Sequence, residues 1–319
     1  MAKFATNPIW SQHFFRDPAR GAAVIAQLPL AADALVYEIG PGTGILTAAL
    51  ARRVKHVVAV EIDPALCARL RARFDAWPNV RVVHADFLHY PLPSRDYTIV
   101  SNVPFGVTAA VLSKLLRAPY PPHAAHLILQ TEAAERFAGV PRETQYSVLT
   151  KPWFAFAIER EFKRTEFVPV PRVDAALLAI HRRDNPLVTQ ADAALYRAFA
   201  RYGFGRWRKN LKASFRGVFS NLQFKTLART LQFPLDATPT QLTFDQWLGL
   251  FRYFQIGVPA YKQQALVARV HDTSGPATRH GGMPIFPSLP RPPPHCRIHW
   301  MWPRFFIERF LAAARRNGF

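Results

Sequence analysis

Residues 34–53 read ALVYEIGPGTGILTAALARR. An apolar run over 34–39 meets three alternate glycines, Gly40, Gly42 and Gly44, and an amphipathic run follows over 45–53. This pattern is a strand, a tight turn and a helix. Glycine at such a turn lets a ligand approach the backbone closely. Downstream, HVVAVEI at 56–62 reads as a buried strand, and Pro64 suits the first turn of a helix reaching Phe74. Asn79–His84, Tyr97–Asn102 and His126–Gln130 read as further strands, with a helix over Thr108–Arg117. Strands alternating with helices predict an α/β, Rossmann-like fold, a mostly parallel sheet covered on both faces. Phe154–Arg164 and Val173–Arg182 read as an antiparallel pair closing one edge.

The pattern changes after Asp184-Asn185-Pro186, taken as a short linker. Helical stretches follow at 191–204, 209–219, 224–231 and 244–254. From Pro259 regularity fades. Eight prolines fall within 276–303, which argues for a disordered or extended chain. Arg304–Phe319 could form a basic, aromatic helix. The expected organisation is therefore a catalytic domain over 1–184, a small helical domain over 185–258 and a basic, disordered tail over 259–319.

Charge separates these segments. Lys and Arg number 41 against 21 acids in 319 residues, a formal +20. The net is +6 over 1–184, but +7 over 185–258 and +7 over 259–319. Nine Lys/Arg and no acid lie between Ala193 and Leu235. Such a surplus points to a polyanion, nucleic acid before membrane. Arg206, Arg208, Lys209, Lys212 and Arg216 surround Trp207 and Phe215. Basic residues interleaved with aromatics suit phosphate contacts and base stacking. A solvated helix with core aromatics gives the same pattern, and both readings are expected to hold, with Trp207 in the core.

Two cysteines, Cys67 and Cys296, exclude a disulfide framework and fit a reducing cytoplasm. Cys67 is expected to be a buried apolar residue. His295-Cys296-Arg-Ile-His299 lacks a second Cys pair and makes a poor zinc site, so no metal is expected. No apolar signal core opens the chain, and no apolar run is long enough to span a bilayer.

Three acids mark the ends of successive strands. Glu38 precedes the glycine turn, Glu61 ends the second strand nineteen residues after Gly42, and Asp86 follows the third in His84-Ala-Asp86-Phe87. A carboxylate at the position of Glu61 accepts both ribose hydroxyls of a nucleoside cofactor. NAD and S-adenosylmethionine both contain one. A pyrophosphate would be repelled by Glu38, whereas a methionyl group with its ammonium and sulfonium would be attracted, so S-adenosylmethionine is favoured. Asp86 could accept the exocyclic amine of the adenine, although a turn or cap role is an equal reading for it alone.

Asn102-Val103-Pro104-Phe105 follows the fourth strand. An adenine amine is a poor nucleophile because its lone pair is delocalised into the ring. The Asn102 side-chain oxygen and the Val103 carbonyl could each accept one N–H and localise that lone pair towards a methyl sulfonium. Pro104 stiffens the loop, and Phe105 offers a face on which an extruded base can stack. Orientation and support of developing charge would carry catalysis, without a strong general base. As an isolated match the same four residues would be a strand-ending turn.

Over about residues 10–255 the chain resembles the rRNA adenine N6-methyltransferases, which include the erythromycin-resistance (Erm) enzymes and the KsgA-type 16S dimethyltransferases. Ser11-Gln12-His13-Phe14-Phe15 is similar to that family's N-terminal motif, which closes over the cofactor. The resemblance implies cofactor contacts at Gln12, His13, Phe15, Glu38, Gly40, Gly42, Glu61, Ile62, Asp86, Phe87 and Asn102. It implies catalysis at Asn102, Val103, Pro104 and Phe105. Residues 167–174, FVPVPRVD, resemble a later motif that helps form the target-base site.

Phe105 and the segment Gln246-Trp-Leu-Gly-Leu-Phe251 resemble Erm proteins, whereas KsgA-type enzymes usually carry tyrosine at the position of Phe105. The expectation is a cytoplasmic, monomeric enzyme that methylates an adenine of 23S rRNA, protein-free or in an early assembly intermediate. It would thereby confer macrolide, lincosamide and streptogramin B resistance. The rivals are a 16S dimethyltransferase of small-subunit assembly and a non-catalytic nucleic-acid-binding protein of the same fold. The intact Asn102 and glycine turn argue against the last. The tail after Pro259 departs from the usual family length.

Overall fold

The computed structural model describes residues 13–205 and 209–272, with side chains to Arg269. The chain opens with a two-residue strand, β1 (Phe14–Phe15), and helix α1 (Pro18–Gln27). Then follow β2 (Leu35–Ile39), α2 (Ile45–Ala51), β3 (His56–Glu61), α3 (Pro64–Phe74), β4 (Val80–His84), β5 (Thr98–Asn102), α4 (Thr108–Arg117) and β6 (Ala124–Gln130). Next are α5 (Thr131–Ala138), α6 (Gln145–Thr150), β7 (Phe154–Phe162), β8 (Phe167–Val168) and β9 (Ala175–Arg182). Seven strands form one sheet in the order β4-β3-β2-β5-β6-β9-β7. The first five are parallel, and β9 runs antiparallel to both β6 and β7. The α/β Rossmann-like expectation and the antiparallel edge pair are both met. Strands β2, β5 and β6 are buried almost throughout their length because both faces are covered. One core lies under α4 and α5, around Ile99, Leu112, Leu127 and Leu178. The other lies under α1 and α2, around Val36, Leu50, Val57 and Ile128.

Helix starts follow local chemistry. Asp17 and Asp63 accept backbone N–H groups at the heads of α1 and α3, each followed by proline. Helices α1, α5 and α6 were not legible in the pattern. Cys67 sits in α3, 1 % exposed and free, as expected.

The second part of the chain is helical: α7 (Ala193–Gly205), α8 (Leu211–Ser214), α9 (Asn221–Thr230), α10 (Phe244–Gly257) and α11 (Ala260–Asp272). Phe199, Phe215, Trp247, Phe251 and Phe254 make its core. Two expectations are corrected. The helix read over 209–219 is a single turn, capped by Asn210 and closed by Phe215 bonding back to Leu211. The stretch after Pro259 is not irregular at its start. Through 272 it is helical, because Gln263 reaches the carbonyls of Phe254, Gln255 and Val258 at the end of α10, while Leu266 is buried. The rest of the expected tail, its proline-rich part and residues 304–319 included, lies outside the described residues.

The segment between the two parts is bonded in place. Arg183 N donates to Trp153 O and Leu187 N to Pro152 O, both at 2.9 Å. Tyr196 in α7 donates its hydroxyl to Val148 O at 2.8 Å, and the Arg197 guanidinium lies 4.5 Å over Trp153. Among the described residues no helix is long and apolar enough to cross a membrane, and no group of three or more His, Cys, Asp or Glu could hold a metal ion.

His126 in β6 is 1 % exposed, and neither ring nitrogen has a hydrogen-bond partner among the described residues. Glu159 lies 3.6 Å from Nδ1, beyond bonding distance. Burial, then the charge of His181, holds the His126 pKa down to about 4. The unfolded chain therefore binds the proton more readily. Stability from this group is present above the ordinary histidine range and is lost as pH falls towards 4. The shift corresponds to about 3 kcal/mol. Replacing His126→Leu should remove that much of the acid sensitivity, read as the difference in unfolding free energy between wild type and variant from pH 7 to 4. Parallel pH profiles would refute it.

Candidate active site

Strands β2, β3, β4 and β5 all point their C-terminal ends to one edge of the sheet, where ligands of open α/β folds bind. The glycine turn sits there. Gly40, Gly42 and Gly44 all have positive φ, at 59°, 58° and 78°. Gly40 N donates to Val60 O at 2.9 Å, which draws the turn over β3. Arg73 of α3 donates to the Thr43 carbonyl.

Glu61 is fully buried at the end of β3. One carboxylate oxygen accepts Gly42 N at 3.1 Å, and the other accepts Ile62 N and Asp63 N at 2.9 Å each. Burial raises its pKa, and those three backbone bonds oppose the rise. Glu38 is 2 % exposed at the end of β2 and accepts the Thr47 hydroxyl at 2.5 Å. Burial pushes its pKa up to about 8, against that hydrogen bond, and the nearby Glu61 adds to the rise.

Asp86 is partly exposed just after β4. Its Oδ1 accepts Leu88 N at 2.8 Å and its Oδ2 meets His89 Nδ1 at 2.7 Å, so it caps the turn after β4. Lys114 holds the same turn by donating to the carbonyls of Phe87, Leu88 and Tyr90. The Phe87 ring is buried beneath that ammonium.

A small pocket, open to solvent, lies between the glycine turn and the turn after β5. His13, Phe15, Glu38, Gly40, Asn102, Val103, Pro104 and Phe105 line it, so the structure brings these expected site residues together. Glu61, Ile62, Asp86 and Phe87 stand along the same sheet edge but outside its walls. Gln12, Arg206 and Arg208 lie outside the described residues, as does Trp207.

The pocket has a second layer that spacing alone did not reveal. β1 pairs antiparallel with β8, Phe14 opposite Val168 and Phe15 opposite Phe167. The FVPV stretch thereby lays the N-terminal segment across the site. Phe15 packs its ring on Phe167 at 5.0 Å, within the core. Phe14 rests on Gly42, where an added Cβ would fall 2.1 Å from its ring. His13 Nδ1 bonds the Pro169 carbonyl at 2.7 Å. The Asn102 amide donates to the His13 carbonyl at 2.5 Å. Its donor end is thus engaged, and among the described residues nothing donates to its carbonyl end. Ser101 Oγ donates to Ile39 O at 2.7 Å and fixes β5 against β2 just below.

Thr43, which the motif reading passed over, lines the same pocket. Its Oγ1 is buried without a hydrogen-bond partner among the described residues. An orphaned hydroxyl beside a buried acid and three positive-φ glycines fits a polar ligand seated on the turn.

On the helical part, Lys209 and Arg216 are exposed and Lys212 is half-buried. Phe215 is in the core, as the plainer reading had it. A further cationic group emerges only in three dimensions. Arg117 ends α4, and Arg197 and Arg201 lie on α7. Burial lowers all three pKa values, Arg197 to about 10, helped there by Arg201 and Arg117.

A Rossmann-like sheet with an acid-flanked glycine turn and an Asn-Val-Pro-Phe turn at one edge defines a nucleoside-dependent group-transfer scaffold. The chain belongs to the ribosomal RNA adenine dimethylase family, whose model matches residues 3–255. It is 32% identical over 254 residues to an rRNA adenine N-6-methyltransferase of Saccharopolyspora erythraea, covering 76% of this chain and 64% of that one. It is also 32% identical over 254 residues to a ribosomal RNA small subunit methyltransferase A of a Synechococcus strain, covering 76% and 90%. The match thus spans just under two-thirds of the Saccharopolyspora relative. The crystal structure of the 23S rRNA methyltransferase ErmE is similar with a TM-score of 0.72 at 31% identity, covering 76% of this chain and 99% of that one.

Gly42 tests the packing of the N-terminal segment. Gly42→Ala should cost about 1–3 kcal/mol, from positive φ and from collision with Phe14. Adding Phe14→Ala should return the collision part but not the backbone part. Denaturant unfolding of the single and double variants measures both, and strict additivity of two losses would sink the assignment.

Proposed function

We propose that this protein transfers methyl groups from S-adenosylmethionine to N6 of one adenine in 23S rRNA. The observation that carries the reading is the Asn102 amide, held by the His13 carbonyl with its oxygen left as an acceptor, beside Phe105 and the buried Glu38. The cofactor, when bound, supplies an electrophilic methyl group on a cationic sulfur. Glu38, the glycine turn and Thr43 would hold it, with His13, Phe15, Glu61, Ile62, Asp86 and Phe87 as the remaining proposed contacts; to reach a ribose hydroxyl, buried Glu61 would exchange its bond from Gly42 N. For Asp86 to take part, its Oδ2 would exchange exposed His89 for the adenine amine.

Asn102 Oδ1 and the Val103 carbonyl would accept the two amine protons of the target base. Val103 N donates to Ile128 O at 3.1 Å, which fixes the Asn102–Val103 peptide against β6. Phe105 would stack on the base. We assign catalysis to residues 1–184 and the grip on RNA phosphates to 185–258, through Arg206, Arg208, Lys209, Lys212 and Arg216. That grip should weaken steeply with salt. A monomer suffices for this scheme.

Phe105, the Gln246–Phe251 segment and the likeness to a 23S enzyme support the large-subunit target, and with it resistance to macrolides, lincosamides and streptogramin B. The second reading, a small-subunit methyltransferase, is favoured by relatives of that name. Labelled S-adenosylmethionine offered with protein-free 23S rRNA and with 30S particles separates them, the modified adenine being mapped by a reverse-transcription stop. Label on 23S rRNA is expected, and label on 30S particles alone would reassign the target. Asn102→Ala should slow methyl transfer about 10²-fold or more, as for loss of one positioned polar group in an active site. Undiminished transfer would refute the proposed chemistry.

Glu38 supplies an independent check. With its pKa near 8 it is mostly protonated at neutral pH in the free protein, and a cationic ligand favours the ionised form. Cofactor affinity should therefore rise with pH between 6.0 and 7.5, by up to about tenfold per unit. Glu38→Gln should bind with a flat profile in calorimetric titration. A flat wild-type profile would count against Glu38 as the cation's partner.

A further inference from the structure

The turn after β4 is held from outside itself. Asp86 O accepts His89 N at 3.1 Å and Tyr90 N at 2.9 Å, so residues 86–90 close a single helical-type turn. Like the end of a helix, such a turn leaves its last carbonyls to be met by other donors. Lys114 Nζ donates to Phe87 O at 2.7 Å, to Leu88 O at 3.0 Å and to Tyr90 O. An ammonium has three N–H groups, and three carbonyls of one turn take them.

The lysine comes from a rigid element. Val111, Leu112 and Leu115 are buried around it in sequence and seat α4 on the sheet. The ammonium lies 5.1 Å from the centre of the Phe87 ring, which is itself buried. Burial lowers the Lys114 pKa, and the charge of Asp86 opposes that fall. Leu88 is gripped at both ends: its N–H by Asp86 Oδ1 at 2.8 Å, its carbonyl by Lys114. The ammonium therefore acts on the direction of the Asp86 carboxylate through the Leu88 backbone.

Resting on the reading that Asp86 accepts the adenine amine of S-adenosylmethionine, we infer that Lys114 is a positioning residue for the cofactor's nucleoside. It fixes the backbone of 86–90, and that backbone holds Oδ1 of Asp86. Oδ2 is then directed to one place, which His89 Nδ1 fills at 2.7 Å and which the amine would take over. Lys114 serves the recognition of adenine in this scheme and has no part in the methyl transfer.

Binding of S-adenosylhomocysteine and of S-inosylhomocysteine, which has an oxygen in place of the adenine amine, reads this role. Wild type should prefer the first by about tenfold or more, the worth of one hydrogen bond to a charged group. Lys114→Met should bring that ratio to about one and raise the KM for S-adenosylmethionine, with kcat at saturating cofactor kept, the signature of lost uniform binding. A lysine that only stabilises the fold would lower the unfolding temperature and leave the ratio alone. If Lys114→Met does not fold, Lys114→Arg replaces it. The cation remains there, but a planar fork cannot converge on three carbonyls, and the ratio should fall below that of wild type. An unchanged ratio in the methionine variant, or in the arginine variant where the first does not fold, would overturn the inference and leave the methyltransferase reading intact. So would a wild type that binds both compounds equally. A wild type that binds neither and methylates no rRNA would overturn that reading and this one with it.

Discussion

The buried carboxylate of Glu61 is the joint on which the site depends. It has no exposed surface, and its two oxygens take three backbone N–H groups, from Gly42, Ile62 and Asp63. A carboxylate in that position without donors would be strongly disfavoured. With them it ties the glycine turn after β2 to the start of α3. The positive φ of Gly42 follows from that tie, and so does the flat surface on which Phe14 rests. Everything above the turn is built on its position.

The catalytic turn depends in the same way on chain far from it. Asn102 is aimed by the backbone of His13, 89 residues earlier. His13 is in turn held by Pro169 and by the β1–β8 pairing. The late FVPV stretch supplies the strand, Phe167–Val168, with which Phe14–Phe15 pairs. Three distant parts of the chain meet there, each fixing another through main-chain bonds. Such an arrangement keeps an amide in one orientation without a rigid side chain, which suits chemistry that relies on positioning.

Much of this was legible before any coordinates. The strand–turn–helix at 34–53 announced the sheet, and α3 and α4 begin and end where the pattern placed them, α3 because proline and capping aspartate agree locally and α4 because of its apolar period. The antiparallel β7–β9 edge was legible for the same reason. Helices α1, α5 and α6 were not legible. Helix α11 hid behind its polar composition, and tertiary bonds from Gln263 place it. Asp86 shows the opposite limit. Its spacing after the third strand suggests a ligand contact, yet its oxygens are engaged by Leu88 and His89.

By itself the sequence determined a mostly parallel sheet with an antiparallel pair at its edge, while the order of the strands came from the structure. It also identified the acids and the Asn-Val-Pro-Phe turn at strand ends, and the basic excess of the second part. These follow from local preferences and hydrophobic period, which act within a few residues. The tertiary structure alone decided that the Asn102 amide donates to the His13 carbonyl and that the His13 ring meets the Pro169 carbonyl. It also decided that Thr43 keeps an orphaned hydroxyl, and that Arg117, Arg197 and Arg201 share one neighbourhood. Those facts depend on hydrogen bonds and burial between residues tens of positions apart, and no local pattern carries that information.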